Sequence, residues 1–361
     1  MIWLAITAVK ALGFIVLLLT AFAYMTLAER RIVGRMQWRL GPNRVGPFGL
    51  LQPLADGVKL LFKEQIVPTG ARVFLYMVAP MLSLIVALSA YAVIPVGDRS
   101  FGKLAGVDMV PWVADLNLGV LYLLGMTSLG VYGIVLGGWA SGNKYSLLGG
   151  IRSSAQVISY ELSLGLSLLS PLMMVGSLRF LDVVRWQQEH WWLVLLQPMA
   201  FLLYWTAAVA EVNRAPFDLP EAEQELGAGY HTEYSGMRFA MYFMAEYVAM
   251  ITVSSVATTV FFGGPLGPFA SGPWWFVLKV AAFMFVFIWL RATFPRFRYD
   301  QLMRIGWQVL LPLSLLNFMV TAVGVALDLE EVFVLVMVLG LIFALVLMGR
   351  LYRMFRPVPT P

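Results

Sequence analysis

The sequence of 361 residues contains no cysteine and only two histidines. Without thiols the chain cannot hold cysteine-ligated iron–sulfur clusters, thiolate zinc sites or disulfides. A bis-histidine haem would need both His190 and His231, but we expect His190 to lie on the opposite side of the membrane. The spacing of His231 and Glu233 does not match HExxH, so we predict no metal site. The glycine-rich motifs GxGxxG and GxxxxGK[ST] are also missing, which gives no recognisable nucleotide site.

Charged residues are scarce as well. They make up 12% of the chain, against about 25% in a soluble domain, while 60% of the residues are hydrophobic. One soluble core cannot hide that much apolar surface, so the composition predicts a protein dissolved in lipid. The net charge of +5 is then better assigned to loops beside the membrane than to nucleic-acid binding. The N-terminus lacks the basic stretch and cleavage site of a secretory signal, so the first apolar run should remain as a helix.

Apolar stretches of about 20 residues, the length needed to cross a bilayer, recur along the whole chain. They predict an all-α, polytopic membrane protein of about nine transmembrane helices, built as a single integral membrane domain over residues 1–361 without a separate soluble domain. The nine stretches are Ile2–Leu27, Val73–Val96, Leu116–Ala140, Ser153–Val175, Trp191–Val209, Phe239–Phe262, Trp274–Leu290, Trp307–Leu327 and Val332–Met348.

The orientation of these helices follows from the basic residues between them. Of the 25 lysines and arginines, 19 fall after odd-numbered stretches, including the C-terminal tail. Because loops rich in Lys and Arg stay on the cytoplasmic side, we expect the N-terminus outside and the C-terminus in the cytoplasm. Lys10 and Lys279 lie within apolar stretches towards the outer side, where a long side chain can reach water, and we assign them no role.

The first long cytoplasmic loop contains an amphipathic segment. Leu51, Leu54, Val58 and Leu61 recur at helical spacing, while polar side chains occupy the opposite face. The segment is too short and too charged to span, so we predict a short amphipathic helix in the membrane interface. It either braces the fold or forms the floor of an opening for a lipid-soluble molecule.

Acidic residues interrupt two of the apolar stretches. Glu161 and Glu246 would cost about 2.5–3.5 kcal/mol each at mid-bilayer, so they should face water or the protein interior. The functional interpretation is a proton relay, because burial disfavours the charged carboxylate. The structural alternative is a hydrogen bond or ion pair between helices. Glu29 and Glu211 end the first and fifth stretches and, taken alone, resemble solvated helix ends.

A second stripe on the fourth stretch is polar but carries no charge. Its residues are Gln156, Ser159, Tyr160, Ser163 and Ser167. Small polar side chains let neighbouring helices approach closely, and we interpret this stripe as helix packing.

The second long loop, residues 211–238, carries six carboxylates and only two arginines. Helix capping explains some of these acids, but not six on a side where positive charge is expected. The loop is therefore a candidate for a proton-collecting funnel or a docking surface for a partner.

Four long motifs, in order, closely resemble the H-subunit family of respiratory complex I. They are GPNRVGPFGLLQPLADGVKLLFKE (41–64), GWASGNKYSLLGGIRSSAQVISYEL (138–162), NRAPFDLPEAEQELGAGYHTEYSGM (213–237) and IWLRATFPRFRYDQLM (288–303). The resemblance covers nearly the whole chain. It implies a membrane subunit of a proton-pumping NADH:quinone oxidoreductase, not catalytic alone, in the bacterial cytoplasmic (inner) membrane.

The resemblance also implies roles for particular residues. The first, amphipathic and sixth helices would frame a quinone entrance, and the acidic loop would sit against peripheral subunits. The residues implied in quinone binding are Arg30, Lys59, Phe217, Asp218 and Arg291. The residues implied in the proton path are Glu29, Glu161, Glu211, Glu221, Glu223, Glu225 and Glu246. No cofactor would be bound by this chain: quinone is the substrate, while NADH, FMN and iron–sulfur clusters belong to partner subunits.

The chain departs from the family pattern at two places. Some members carry a further glutamate in the third helix, where this chain has Thr127, Ser128 and Leu129. A relay step there must use a hydroxyl, water or another carboxylate. The ninth stretch, Val332–Met348, exceeds the eight helices common in the family and has a local packing role in this interpretation.

Two other classes of function share some of these features. A cation:proton antiporter would also carry intramembrane carboxylates, but it predicts inverted repeats and broken helices, and the sequence has no such repeat. A scaffold that only anchors the peripheral subunits would tolerate the loss of charge at Glu161 and Glu246.

Overall fold

The computed structural model describes residues 2–98, 102–104, 107–108, 110–218, 229–269 and 271–327, with the single residues 338, 340 and 342. These residues form α-helices and one short hairpin, in which strand β1 (Lys103–Leu104) pairs antiparallel with β2 (Val107–Asp108). The helices are α1 (Ile2–Met36), α2 (Gln52–Phe62), α3 (Val73–Ala90), α4 (Gly119–Ala140), α5 (Lys144–Val175), α6 (Phe180–Glu189), α7 (Leu193–Leu196), α8 (Pro198–Glu211), α9 (Gly236–Phe261), α10 (Pro273–Thr293), α11 (Tyr299–Arg304) and α12 (Leu311–Ala326). A π-helical segment, Ile305–Leu310, joins α11 to α12.

Seven of the helical stretches are long and apolar enough to cross a membrane. This confirms the prediction of an all-helical, polytopic membrane protein. The seven are Ala5–Met36, Val73–Val93, Gly119–Ala140, Lys144–Val175, Gly236–Phe261, Pro273–Thr293 and Tyr299–Ala326. The predicted ninth helix, Val332–Met348, lies outside the described residues apart from three isolated positions.

The fifth predicted stretch, Trp191–Val209, is not one continuous helix. It divides into α7 and α8 at Gln197, whose backbone has φ −130° and ψ 55°. The ring of Pro198 keeps the preceding residue out of the helical region, which explains the break. The Gln197 amide is fully buried and donates to the Thr321 hydroxyl on α12 at 3.2 Å.

The first helix is longer than predicted. It runs on from Leu27 to Met36, so Glu29 and Arg30 lie inside α1 and not in a loop. Glutamate and arginine are good helix formers, and charge alone does not end a helix. The helix ends where Trp38 takes a left-handed backbone (φ 57°) and the Arg39 amide donates to the Gly34 carbonyl at 2.8 Å.

Helix α5 lies at the centre of the bundle, against α4, α8 and α12, while α9 packs on α3, α10 and the lower part of α1. The polar stripe of α5 is buried. The Gln156 amide donates to the carbonyls of Ala210 and Phe217, and the Tyr160 hydroxyl donates to Leu302. The interpretation of this stripe as helix packing therefore agrees with the contacts it makes.

The amphipathic segment forms α2, and none of its side chains is buried within the chain. Leu54, Val58 and Leu61 are exposed together with Phe62. Because α2 contacts both α1 and α9, this apolar face lies beside the end of the bundle at which α1 stops. We call that end, which also carries Arg35, Arg39 and Arg72, the basic end.

Candidate functional site

A crevice of about 280 Å³ opens at the basic end, where α1, α9 and α10 meet. It is lined by Thr26, Glu29, Arg30, Val33, Arg39, Phe243, Tyr247 and Arg291. Apolar and aromatic side chains thus share the crevice with three arginines and one carboxylate. Such a site suits a molecule that has an apolar body and a polar end that carries or gains negative charge.

Glu29 is the carboxylate of this crevice and is only 7% exposed. The Tyr247 hydroxyl donates to its Oε2 at 2.5 Å, and Arg291 donates to Oε1. The guanidinium of Arg214 lies 3.8 Å from the same oxygen. Two cations and a phenol compensate the burial of this carboxylate. The expectation of a solvated helix end is therefore wrong for Glu29.

Arg214 connects the crevice to the interior of the protein. It follows α8 after a left-handed turn at Asn213 (φ 55°), and it is 4% exposed. Its Nε lies 2.7 Å from Glu246 Oε1, and its guanidinium carbon lies 4.3 Å from the centre of the Tyr247 ring. One guanidinium therefore stands between Glu29 on α1 and Glu246 on α9, and the three side chains form a chain of ion pairs that is buried at Glu29 and Arg214 and half-buried at Glu246.

Behind this chain lies a second space, the central cavity, of about 130 Å³. Residues of α3, α4, α5, α8 and α9 enclose it, and most of its wall is apolar. Glu211 and Glu246 supply carboxylates to this wall. Glu211 closes α8, and its Oε2 is buried without a hydrogen-bond partner among the described residues.

Glu161 lies beside the central cavity but does not line it. Its Oε1 accepts a hydrogen bond from Ser128 on α4. It also interacts electrostatically with Glu211, which lies near Thr127. Thr127 and Ser128 thus lie beside the two acids at the positions where the sequence lacks a third-helix glutamate.

Comparisons with known proteins show the family of this chain. A family model described as NADH dehydrogenase matches residues 9–322. The chain is 54% identical over 354 residues to NADH-quinone oxidoreductase subunit 8 of Thermus thermophilus, which covers 98% of this chain and 95% of that protein. It is 57% identical to the H subunit of the same oxidoreductase from Thermomicrobium roseum, over 88% of this chain and 96% of that one. The H subunit of Deinococcus radiodurans is 56% identical, over 90% and 84%.

The chain belongs to the H-subunit family of NADH-quinone oxidoreductase. This confirms the resemblance on which the predicted roles depend.

Within this H-subunit chain, the predicted quinone residues do not all meet. Arg30 and Arg291 line the crevice, and Arg30 also donates to Asp56 on α2 at 2.8 Å. Lys59 lies on the exposed surface of α2. Neither Phe217 nor Asp218 lines the crevice.

Phe217 and Asp218 are instead buried within the H-subunit bundle. The Phe217 ring packs between Tyr160 and Phe297, and the Asp218 carboxylate accepts from Arg296 at 3.0 Å. Asp218 is 3% exposed. Glu221, Glu223 and Glu225 lie outside the described residues. Of the predicted proton path, Glu29, Glu161, Glu211 and Glu246 lie at or beside the two cavities.

Sequence reasoning did not name Arg214 and Tyr247 as site residues. Arg214 belongs to the NRAPFD run that carries the resemblance, and it is one of only two arginines in the acidic loop. A cation among so many acids was a signal for a buried ion pair. Tyr247 directly follows Glu246 inside an apolar stretch, and nothing in its pattern separates it from the aromatic residues around it.

Proposed function

We propose that this chain forms the quinone entry and binding chamber of NADH-quinone oxidoreductase, and that its buried acids couple quinone reduction to proton translocation. The observation that carries the proposal is the chain Glu29–Arg214–Glu246. It joins the crevice at the basic end to the central cavity, where Glu211 supplies a further carboxylate. A change of charge beside Glu29 therefore alters the electrostatic energy of Glu246, because Arg214 interacts with both carboxylates.

The crevice fits the entrance of a long apolar molecule. Val33 and Phe243 supply apolar wall, and the Arg30–Asp56 pair joins the crevice to α2, whose apolar face is exposed. An isoprenoid tail would lie along these surfaces with little loss of apolar contact as it leaves the bilayer. Arg291 and Arg30 would line this entrance and steady its charges, and the headgroup would pass them and extend towards partner subunits.

Reduction converts quinone, two electrons and two protons into quinol. The electrons bring negative charge to a region of low dielectric, where charges interact more strongly than in water. That charge attracts Arg214 and Arg291 and weakens the hold of Arg214 on Glu246. Glu246 then takes a proton from the side of the crevice. When the quinone itself is protonated, Arg214 returns and Glu246 releases its proton towards Glu211 and Glu161.

The hydroxyls of Thr127 and Ser128 extend this path between the acids. Each lies beside one carboxyl group, and a hydroxyl can both donate and accept a hydrogen bond. They take the place of the third-helix glutamate that some family members carry. Glu221, Glu223 and Glu225 would supply further acids from the loop before α9.

The remaining chemistry belongs to partner subunits in this proposal. NADH, FMN and iron–sulfur clusters would be held there, since this chain has no cysteine to ligate a cluster. Peripheral-arm subunits would dock on the loops of the basic end, and small membrane subunits would continue the acidic path. The excess of basic residues at that end supports a bacterial inner-membrane location with the N-terminus outside.

Replacing Glu161 by glutamine tests the proton path. We expect quinone reduction coupled to proton movement, measured in membrane vesicles, to fall ~10-fold or more, because a positioned proton carrier is lost. Reduction of an artificial acceptor that takes electrons before the quinone step should be unchanged. Glu189→Gln, which alters an exposed carboxylate at the end of α6 on the opposite side, is the matched control and should leave both activities intact.

The same variants separate the path from a scaffold. If Glu161→Gln pumps protons and reduces quinone as the natural chain does, Glu161 serves only as a hydrogen-bond partner of Ser128. Loss of artificial-acceptor reduction together with quinone reduction would point to failed assembly, which the amount of complex in the membrane reveals.

A further inference from the structure

The turn after α9 brings three backbone carbonyls to one point. Gly263 and Gly264 both adopt left-handed backbones, with φ 71° and 56°. The Gly264 amide returns to the Thr258 carbonyl at 2.8 Å and closes the helix end. The chain then turns so that the carbonyl oxygens of Phe262, Gly264 and Leu266 converge on Lys279 of α10.

The ammonium group of Lys279 occupies the centre of these carbonyls. Its Nζ donates to the oxygen of Phe262 at 2.6 Å, of Gly264 at 3.0 Å and of Leu266 at 2.5 Å. An ammonium has three N–H donors, and this arrangement uses all of them. The indole ring of Trp192 adds an aromatic face, with its centre 4.7 Å from Nζ.

These partners are dipoles and a π face. Carbonyl oxygens at a helix C-terminus carry partial negative charge and favour a cation, and rings of carbonyls replace the hydration shell of monovalent cations in other membrane proteins. An aromatic face attracts the same kind of ion. Lys279 is half-buried. The prediction that it simply extends to water therefore does not describe its contacts.

We propose that the carbonyls of Phe262, Gly264 and Leu266, with the face of Trp192, form a monovalent-cation site that is filled by the chain's own Lys279. The lysine acts as a tethered ion. It fastens the turn after α9 to α10 and to the residue before α7, and it supplies the only charge among the hydrogen bonds and the ring contact named above. A free ammonium or methylammonium ion should replace the side chain when it is shortened.

The test uses the whole oxidoreductase with Lys279→Ala, which removes the ammonium and leaves its space empty. We expect the temperature of half-inactivation to fall by ~3 °C or more. Added ammonium or methylammonium chloride should recover at least half of that loss. N-methylglucamine chloride at the same ionic strength is too large for the space and should recover none.

Lys279→Met is the matched control, because its side chain fills the same space without a charge. It should lose stability and gain nothing from ammonium, and the natural protein should also be unaffected by ammonium. If Lys279→Ala is as stable as the natural protein, the site is overturned. If ammonium and N-methylglucamine act equally on Lys279→Ala, or if Lys279→Met is rescued as well, it is overturned too.

A second measurement covers the case in which Lys279→Ala does not assemble. In the natural oxidoreductase, reductive methylation should leave Lys279 largely unmodified, because every N–H of its ammonium is bound to a carbonyl. The same lysine should react fully after denaturation. Methylation of Lys279 in the folded protein at the rate seen after denaturation would contradict the proposal, because a side chain extended into water reacts in that way.

Discussion

Among single residues, Arg214 has the most demanding position. It is buried between two carboxylates, one on α1 and one on α9, with an aromatic ring beneath it. Removing one partner of a buried ion pair leaves an uncompensated charge, which costs about 3–5 kcal/mol. Arg214 has two such partners, so its loss removes the cation 2.7 Å from Glu246 and one of the two cations beside Glu29.

This asymmetry predicts the outcome of a double-mutant cycle. Arg214→Gln should destabilise the complex more than Glu246→Gln, and the double variant should lose less stability than the two single changes added together, by about 1–3 kcal/mol. Thermal inactivation of the oxidoreductase in membranes measures all three. Strict additivity would mean that the 2.7 Å contact carries no coupling and would remove Arg214 from the proposed path.

The role of Arg214 could not be predicted from the sequence. A rare acid inside an apolar stretch is conspicuous, which is why Glu161 and Glu246 could be named from the sequence. Arg214 lies in a loop where charge is normal, and its burial depends on a left-handed turn at Asn213 and on α1 lying nearby. A local sequence pattern does not show where α1, which is distant from Arg214 in the chain, packs in the fold.

Among the elements, α3 and α4 are in close contact at Gly133 of α4. A Cβ atom added at Gly133 would lie 2.0 Å from the Ser83 hydroxyl oxygen and 3.1 Å from its backbone nitrogen. Small residues allow such contact between membrane helices, where packing drives association. Gly125, on the same helix, has nothing within 4 Å of its added Cβ.

Gly133→Ala should therefore push α3 and α4 apart at the wall of the central cavity and cost about 1–3 kcal/mol. We expect less assembled complex and a lower inactivation temperature. Gly125→Ala, the control, should behave like the natural chain. Adding Ser83→Ala should recover part of the loss, since it removes the nearest atom and leaves the backbone contact. Equal losses from the two glycine changes would show that the contact with Ser83 is not responsible, because alanine favours a helix over glycine at both positions.

The elements also show how far apolar periodicity predicts a membrane fold. Length and hydropathy located seven spans correctly and identified α2 as amphipathic, because these properties are local. They placed the end of α1 too early, at Leu27. Glu29 and Arg30 continue the helix, because their charges pair with residues of other helices. They also predicted α7 and α8 as one helix. Residues 191–209 are almost all apolar, and hydropathy does not take into account that Pro198 lacks an amide hydrogen.

For the whole molecule, the distribution of basic residues predicts which end faces the cytoplasm. Because the chain has no cysteine, single cysteines introduced into it report this directly. Arg44, between α1 and α2, and Glu189, at the end of α6, are both exposed. We expect an impermeant maleimide to label Glu189→Cys in intact cells and Arg44→Cys only after the membrane is opened and peripheral proteins are stripped with a chaotropic salt.

The natural chain, which lacks cysteine, is the control for background labelling. Labelling of Arg44→Cys in intact cells would reverse the orientation and would place the crevice on the opposite side from the proposed partners. Labelling of Glu189→Cys only after lysis would lead to the same conclusion.

The bond between Glu29 and Arg291 joins two residues that are 262 positions apart in the chain. During synthesis, α1 enters the membrane long before Tyr247 and Arg291 exist. Its acid then has neither phenol nor guanidinium, and the side of α1 that later closes the crevice faces lipid. A polypeptide released before α10 lacks the Arg291 contact and leaves this side of α1 uncovered, and incompletely folded chains are targets for degradation. The contact that shapes the crevice thus also distinguishes chains whose translation has passed α10 from those that stopped earlier.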